Sequence, residues 1–302
     1  MEKSNKPKVE TTGHVWDGDL AEYNNPLPTW WVWAFYGTVI FSIVYWFIFP
    51  AWPIGKSFTP GLLKETVQVN GQEVTSHWNT RIALIKDMQK GREQQAKFYN
   101  QISGMTPQQI SKDPQLMGFV QSAGAVLFGD NCAACHRAGG QGTPGVAPAL
   151  VDDDWLYGGT LDKIQETITN GRHGFMPAFG QALKPQEIAA LAEYELSLSG
   201  HSTDANLAKA GDALFHSDKV GCFGCHGVEG KGNQMIGSAN LTDNIWLWAK
   251  VDPKTGAPSR AALENVISNG LNRGVMPAWA GRLSPDQIKI LTVYVHELGG
   301  GQ

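Results

Sequence analysis

Charge is scarce in this 302-residue chain: 17% of the residues are Asp, Glu, Lys or Arg, and they sum to -4 at pH 7. The lack of a basic excess argues against nucleic-acid binding, where a basic face is expected. Cysteine is scarcer still. Four residues allow two disulfides or one zinc site and nothing denser, and their spacing must decide. Strand-like alternation does not stand out in the C-terminal two thirds. What is abundant is apolar residues (42%), glycine (35) and tryptophan (11). The apolar share excludes wholesale disorder, and the length suits two or three domains. Six tryptophans (Trp16, Trp30, Trp31, Trp33, Trp46, Trp52) fall in the first 52 residues, which points to a membrane interface.

Residues 1–28 are polar, contain Pro7, Pro26 and Pro28, and read as a mostly irregular tail. Trp30 to Phe49 is then a twenty-residue run without one charge. As a helix it rises about 30 Å, the thickness of bilayer hydrocarbon. Tryptophans at both ends fit aromatic belts, and Pro50 and Pro53 stop the helix. A cleaved signal peptide has a shorter apolar run, about 7–15 residues, so 29–53 reads as a retained anchor in the lipid bilayer. Residues 54–115 read as a connector with 8 basic and 5 acidic residues, either a solvated spacer or a contact surface for a membrane partner. Within it, Arg81 to Ile102 has helical character, and Thr106-Pro107 signals a second helix start.

The remainder is a repeat. Gly124, Phe128, Cys132-x-x-Cys135-His136, Leu150, Trp155, Asn170-Gly171, Met176-Pro177-Ala178 and Tyr194 recur as Gly211, Phe215, Cys222-x-x-Cys225-His226, Leu241, Trp246, Asn269-Gly270, Met276-Pro277-Ala278 and Tyr294. The offset is 90 at the cysteines and 100 at the methionines, the change being a surface-loop insertion over 249–258. This predicts two similar helical domains, 116–200 and 201–302, with a seam near Ser199 to Thr203. Helices are predicted from Gln115 to Gly129, Leu161 to Asn170 and Pro185 to Leu198, with Ser284-Pro285 a further helix start.

Cys-x-x-Cys-His occurs twice. On a helical turn, positions three apart share a face, so two thiols can add to the two vinyl groups of one haem while the adjacent His reaches iron. This is the covalent c-type attachment signature. A shared zinc site is disfavoured by the 86 residues between the pairs, and a thioredoxin-like pair by the missing βαβ context. Disulfides within each pair would leave His136 and His226 unexplained. The predicted cofactors are therefore two covalently bound haem c groups, on Cys132 and Cys135 and on Cys222 and Cys225. His136 and His226 are the proximal metal ligands. Met176 and Met276, each in a rigid Met-Pro-Ala loop, are the predicted distal ligands. Counted along the chain, Met176 follows His136 and Met276 follows His226. Met235 is a rival ligand without a counterpart in the first copy, and Met117 reads as packing. Trp155 and Trp246 are candidate partners of haem propionates or plain core residues, and Arg172 and Arg273 are further propionate candidates. No catalytic base, nucleophile or open iron is evident, so no catalytic residue is assigned.

These residues resemble class I cytochrome c domains. The resemblance implies that the proximal His bonds a backbone carbonyl, at Pro148 in the first copy and Ala239 in the second. It also implies that the Gly124/Phe128 helix meets the Leu191/Tyr194 helix, and the Gly211/Phe215 helix meets the Leu291/Tyr294 helix. A further match is more specific: His14-Val15-Trp16-Asp17-Gly18 followed by Glu22-Tyr23-Asn24-Asn25-Pro26-Leu27-Pro28 and Trp30-Trp31. With the order of tail, anchor, connector and two haem domains, it resembles the dihaem subunit (CcoP or FixP) of cbb3-type cytochrome c oxidases over essentially the whole chain. That family implies a single-pass protein of the bacterial inner membrane with its haem domains in the periplasm. It implies transfer of electrons from donor c-type cytochromes to a monohaem subunit and a haem–copper catalytic subunit that reduces O2 and pumps protons. Alternatives are a dihaem carrier of another complex, such as a dehydrogenase or nitric oxide reductase, or a dihaem peroxidase. Residues 116–302 carry 13 basic and 18 acidic side chains, and the run Asp152-Asp153-Asp154 is a candidate steering patch for a basic donor.

Overall fold

The computed structural model describes residues 10–202 and 204–302. Residues 1–9 of the expected tail, with Pro7, and Thr203 of the expected seam lie outside the described residues. The chain forms two compact units, 1–95 and 96–302.

In the first unit the tail is not irregular. Strands β1 (Thr11–Trp16) and β2 (Leu20–Tyr23) pair antiparallel. In the three-residue loop 17–19 between them, Asp17 and Gly18 both adopt positive φ, a conformation that Asp and Gly tolerate. Helix α1 (Thr29–Ile48) follows. None of its residues is buried by the rest of the chain, and it is the one candidate membrane span among the described residues. Two short strands, β3 (Pro53–Ile54) and β4 (Ser57–Phe58), make a turn after it. The connector holds a second hairpin, β5 (Lys64–Val69) with β6 (Gln72–His77), closed by Asn70-Gly71 with both φ positive. Val67 is its buried anchor. Helix α2 (Thr80–Ser103) matches the helix predicted from Arg81 to Ile102.

In the second unit, α3 (Pro107–Ser111) starts as its sequence predicts: Thr106 Oγ1 accepts the Gln109 N–H, and Gln109 Oε1 accepts the Thr106 N–H. This reciprocal pair satisfies two otherwise orphaned donors. Helix α4 (Pro114–Asn131) is capped by the Asp113 carboxylate and runs into the short α5 (Ala133–His136). Then come α6 (Leu161–Asn170), strand β7 (Arg172–Met176), α7 (Pro185–Leu198), α8 (Ala205–Phe215), α9 (Cys222–His226), α10 (Arg260–Asn269), strand β8 (Leu271–Met276) and α11 (Pro285–His296). The predicted helix over Leu161–Asn170 and that over Pro185–Leu198 are observed with those bounds.

The packing of these helices departs from the expected pairing. Helix α4 packs on α11, from the second copy, and α7 packs on α8. Gly124 faces Tyr294, and the Phe128 and Tyr294 rings lie 5.7 Å apart. Gly211 faces Ala190 and Tyr194, with the Tyr194 and Phe215 rings 5.3 Å apart. Both copies carry the same glycine notch and the same aromatic pair, so either partner satisfies the contact. The deciding element is the link 199–204 between α7 and α8. So short a connection makes consecutive helices antiparallel neighbours, which leaves α4 to α11.

The exchange is sealed by the methionine segments. Strands β7 and β8 pair antiparallel, Met176 opposite Leu271 and Arg172 opposite Met276. The free carbonyls ending α10 are then met by the first copy, Phe179 N–H to Ile267 O (3.0 Å) and Gly180 N–H to Ser268 O (2.9 Å). Those ending α6 are met by the second, Trp279 N–H to Ile168 O (3.1 Å) and Ala280 N–H to Thr169 O (3.3 Å). Helix ends need such partners, and each copy supplies the other's.

A Cβ at Gly211 would overlap the Ala190 carbonyl, whereas one at exposed Gly118 on α4 meets nothing. Gly211→Ala is expected to cost about 1–3 kcal/mol by overpacking, read from the urea midpoint. Gly118→Ala is expected to be neutral or to stabilise by up to about 1 kcal/mol.

Candidate cofactor sites

Cys132 ends α4, its N–H donating to Phe128 O (2.8 Å), and the chain turns at once into α5. The Cys135 and His136 N–H groups both donate back to Cys132 O (3.1 and 3.0 Å). That turn puts Cys132, Cys135 and His136 on the wall of one cavity. In the second copy, Gly221 at positive φ opens α9, which delivers Cys222, Cys225 and His226 to the same wall. All four thiols are free. Burial pushes the Cys132 and Cys222 thiols up to about 11, so neither is a thiolate nucleophile at neutral pH. Among the described residues no three His, Cys, Asp or Glu side chains cluster to hold a bare metal ion.

Each histidine is held through Nδ1. His136 Nδ1 bonds Pro148 O at 2.9 Å and His226 Nδ1 bonds Ala239 O at 2.9 Å, the two carbonyls implied by the cytochrome resemblance. A carbonyl only accepts, so the proton sits on Nδ1 and the lone pair on Nε2. Burial lowers both pKa values, opposed in part by these bonds. A neutral, oriented imidazole with a free Nε2 is what a metal requires.

The methionines are exchanged as the helices are. Met176 packs with Leu191, Phe215, Leu263 and Ile267, beside Cys222 and Trp246. Met276 packs with Phe128, Ile164, Ile168 and Leu291, beside Cys132 and Trp155. The order along the chain, Met176 with His136 and Met276 with His226, is therefore not the order in space. Met235 is 89% exposed and absent from the cavity wall. Met117 packs against the Ile102, Ile110 and Leu116 cluster.

The cavity has a volume of about 760 Å3 and reaches both histidine sites. Its chemistry fits haem. The walls are largely apolar, thiols and imidazoles converge on it, and Trp246 Nε1 is buried with no acceptor among the described residues. A haem propionate would satisfy that donor. The two tryptophans differ, because Trp155 Nε1 already donates to Gly300 O. Arg172 is held by Glu166 (2.9 Å) and stacks over Tyr157, whereas Arg273 lines the cavity with no ion pair among the described residues. Of the acidic run, Asp153 is exposed and Asp152 and Asp154 are half-buried. Asp154 is pushed up to about 6 by burial, with Asp243, Asp152 and Asp153 adding to the effect, so the patch gains charge as pH rises through that value.

Glu195 is a wall residue that the sequence reading passed over. The signal was present: a carboxylate within the apolar stripe Ile188, Leu191 and Leu198 of α7, where the second copy has Val295.

Comparison with known proteins agrees over the whole length. Residues 8–56 match the family model described as the N-terminal domain of cytochrome oxidase-cbb3, FixP. Residues 120–194 and 206–295 match that described as cytochrome C oxidase, cbb3-type, subunit III. The cbb3-type cytochrome c oxidase subunit FixP of Azorhizobium caulinodans is 44% identical, over 97% of this chain and 94% of its own. The FixP subunit of Bradyrhizobium diazoefficiens is 42% identical, over 97% and 95%. The CcoP subunit of Azospirillum brasilense is 40% identical, over 100% and 99%. With its membrane-type helix followed by paired cytochrome c sequences, the chain belongs to the FixP/CcoP family of cbb3-type cytochrome c oxidase subunits.

Proposed function

We propose that the chain holds two haem c groups covalently and relays electrons into a cbb3-type terminal oxidase. Cys132 and Cys135 would carry one haem, between His136 and Met276. Cys222 and Cys225 would carry the other, between His226 and Met176. The observation that carries this reading is the reciprocal placement of each methionine beside the other copy's cysteine and histidine turn. When bound, each haem supplies a one-electron Fe(III)/Fe(II) couple, and His/Met ligation favours a relatively high potential. The chain's own part is to orient the imidazoles, offer the thioethers, exclude water with apolar walls and donate Trp246 N–H to a propionate. It offers no position at iron for a substrate, which argues for relay over catalysis.

The donor is a c-type cytochrome with a basic face, steered by the Asp152–Asp154 patch. The acceptors are a monohaem subunit and a haem–copper subunit where O2 is reduced. Helix α1 makes a single pass through the bacterial inner membrane, and the cysteine motifs lie on the periplasmic side, where c-type haem is attached. Purification in mild detergent tests the assignment. Co-purification of b-type haem and a haem–copper subunit is the expected result. A complex holding c-type haem alone would reject the oxidase and favour another carrier.

A further inference from the structure

We propose that Glu195 takes up a proton when the haem held at Cys222 and Cys225 is reduced, and releases it on oxidation. The inference rests on the haem-binding reading above.

Glu195 projects from α7 into the cavity wall. It lies near enough to Cys222 for the two charges to interact, which places it in the half of the cavity that Met176 and His226 share. Its carboxylate makes no hydrogen bond or ion pair among the described residues, where neighbouring Glu193 is held by Ser202, the Asp204 N–H and Arg260. Burial pushes the Glu195 carboxyl up to about 7. The group therefore keeps its proton to higher pH than an ordinary carboxylate. The repeat supplies an internal contrast. Val295 occupies the equivalent position and packs in the cluster that holds Cys132 and Met276. At this helix position one copy has a titratable group and the other two methyls; the cavity's other raised carboxyls, Asp152 and Asp154, lie on the loop before Trp155, beside the Cys132 cluster.

Apart from Arg273, the charged groups around Glu195 are committed elsewhere. On α7 itself, Glu187 pairs with Lys219. On α8, Asp212 pairs with His216 (2.9 Å) and bonds the Tyr194 hydroxyl. On α9, the Cys222 thiol becomes a thioether once haem is attached, and His226 is the proposed iron ligand. On α10, Arg260 is shared by Glu193 and Glu264. Of the strand arginines, Arg172 is held by Glu166, and Arg273 lines the cavity with no ion pair among the described residues. Haem propionates would be present at both sites and so do not distinguish them.

An electron added to an enclosed site of low polarity raises the proton affinity of a nearby carboxylate. Linkage is reciprocal, so a proton on Glu195 equally favours the reduced haem. The step balances as one electron from the donor and one proton from solvent onto a Glu195 Oε, both leaving on oxidation. The sign follows. Below its oxidised-state pKa, Glu195 is neutral in both states and the potential is flat. Above it the potential falls as pH rises, until Glu195 stays ionised in both states. One proton per electron caps the slope at about 59 mV per tenfold change in proton activity.

The test is a spectroelectrochemical titration of the full-length protein in its complex across the neutral range, with the Cys132→Ala/Cys135→Ala variant to assign each haem. In wild type, the potential of the haem at Cys222 should fall through the neutral range. Glu195→Gln and Glu195→Val should flatten that slope, Glu195→Asp should retain one, and the haem at Cys132 should be unchanged throughout. Redox-difference infrared spectra should show a protonated-carboxyl band on reduction that Glu195→Gln removes. Normal haem content with an unaltered slope in both Glu195→Gln and Glu195→Val would overturn the inference alone. Loss of no haem in Cys222→Ala/Cys225→Ala would instead overturn the haem reading beneath it.

Discussion

Met276→Leu is expected to strip the distal ligand from the haem attached at Cys132 and Cys135, 141 residues upstream of it at the nearer cysteine, and to spare the haem nearest in sequence. Met276 packs beside Cys132 with Phe128, Ile164 and Leu291, and among the described residues it is not one of those packed on the Cys222 cluster. Leucine keeps the volume and apolar character of the wall, so the fold should survive. Only the thioether is lost. One haem should then show a high-spin component and lose its weak methionine-to-iron charge-transfer band. Introduced into the Cys222→Ala/Cys225→Ala background, Met276→Leu should act on every remaining haem. In the Cys132→Ala/Cys135→Ala background it should act on none. Met276→His should keep the iron low-spin and lower its potential within the roughly 0.8 V that axial ligands span. Effects confined to the Cys222 haem would restore the linear pairing and reject the exchange.

Cys132→Ala with Cys135→Ala should halve the c-type haem per chain, as read by peroxidase staining of denaturing gels and by the pyridine haemochrome. The remaining haem, proposed to be held by Cys222, Cys225, His226 and Met176, would have its wall drawn from α7, α8 and α10 and should keep its spectrum. Stability should fall further than an independent lost domain would suggest. An unfilled apolar cavity loses the packing of its lining, and α4, α6 and α11 share that lining across both sequence copies. Unchanged haem content would remove covalent attachment from the account.

Local signals were legible in the sequence wherever one residue decides one bond. Thr106-Pro107 and Ser284-Pro285 mark helix starts by capping chemistry, and both caps form. The carbonyl partners of His136 and His226 followed from the cytochrome resemblance and are in place. The hairpins were also written locally, in Asp17-Gly18 and Asn70-Gly71, but their strands are mostly exposed and polar, so no alternating apolar face announced them. The exchange of α7 and α11 was not legible from periodicity or motif. Gly124 and Gly211, Tyr194 and Tyr294 are chemically equivalent, and a pattern that matches two partners equally cannot choose between them. The choice lies in chain connectivity: six residues between α7 and α8, and the β7–β8 ladder. Glu195 went unread for the opposite reason, since a single polar residue in an apolar stripe stands out only once its cavity is known.

The interleaving of α4 with α11 also orders events in time. A chain emerges from synthesis N-terminus first, so the Cys132 motif appears before the Cys222 motif. Yet the helix and methionine that enclose it are the last to arrive, at 276–296. The Cys222 site has all its parts once residue 270 is out, because α7 and Met176 already wait upstream. With haem bound as proposed, the first motif to appear would be the last to be enclosed, and for that interval the Gly124 notch of α4 would lack Tyr294. Contacts so distant in sequence close slowly, so this interval is long beside the formation of the local helices.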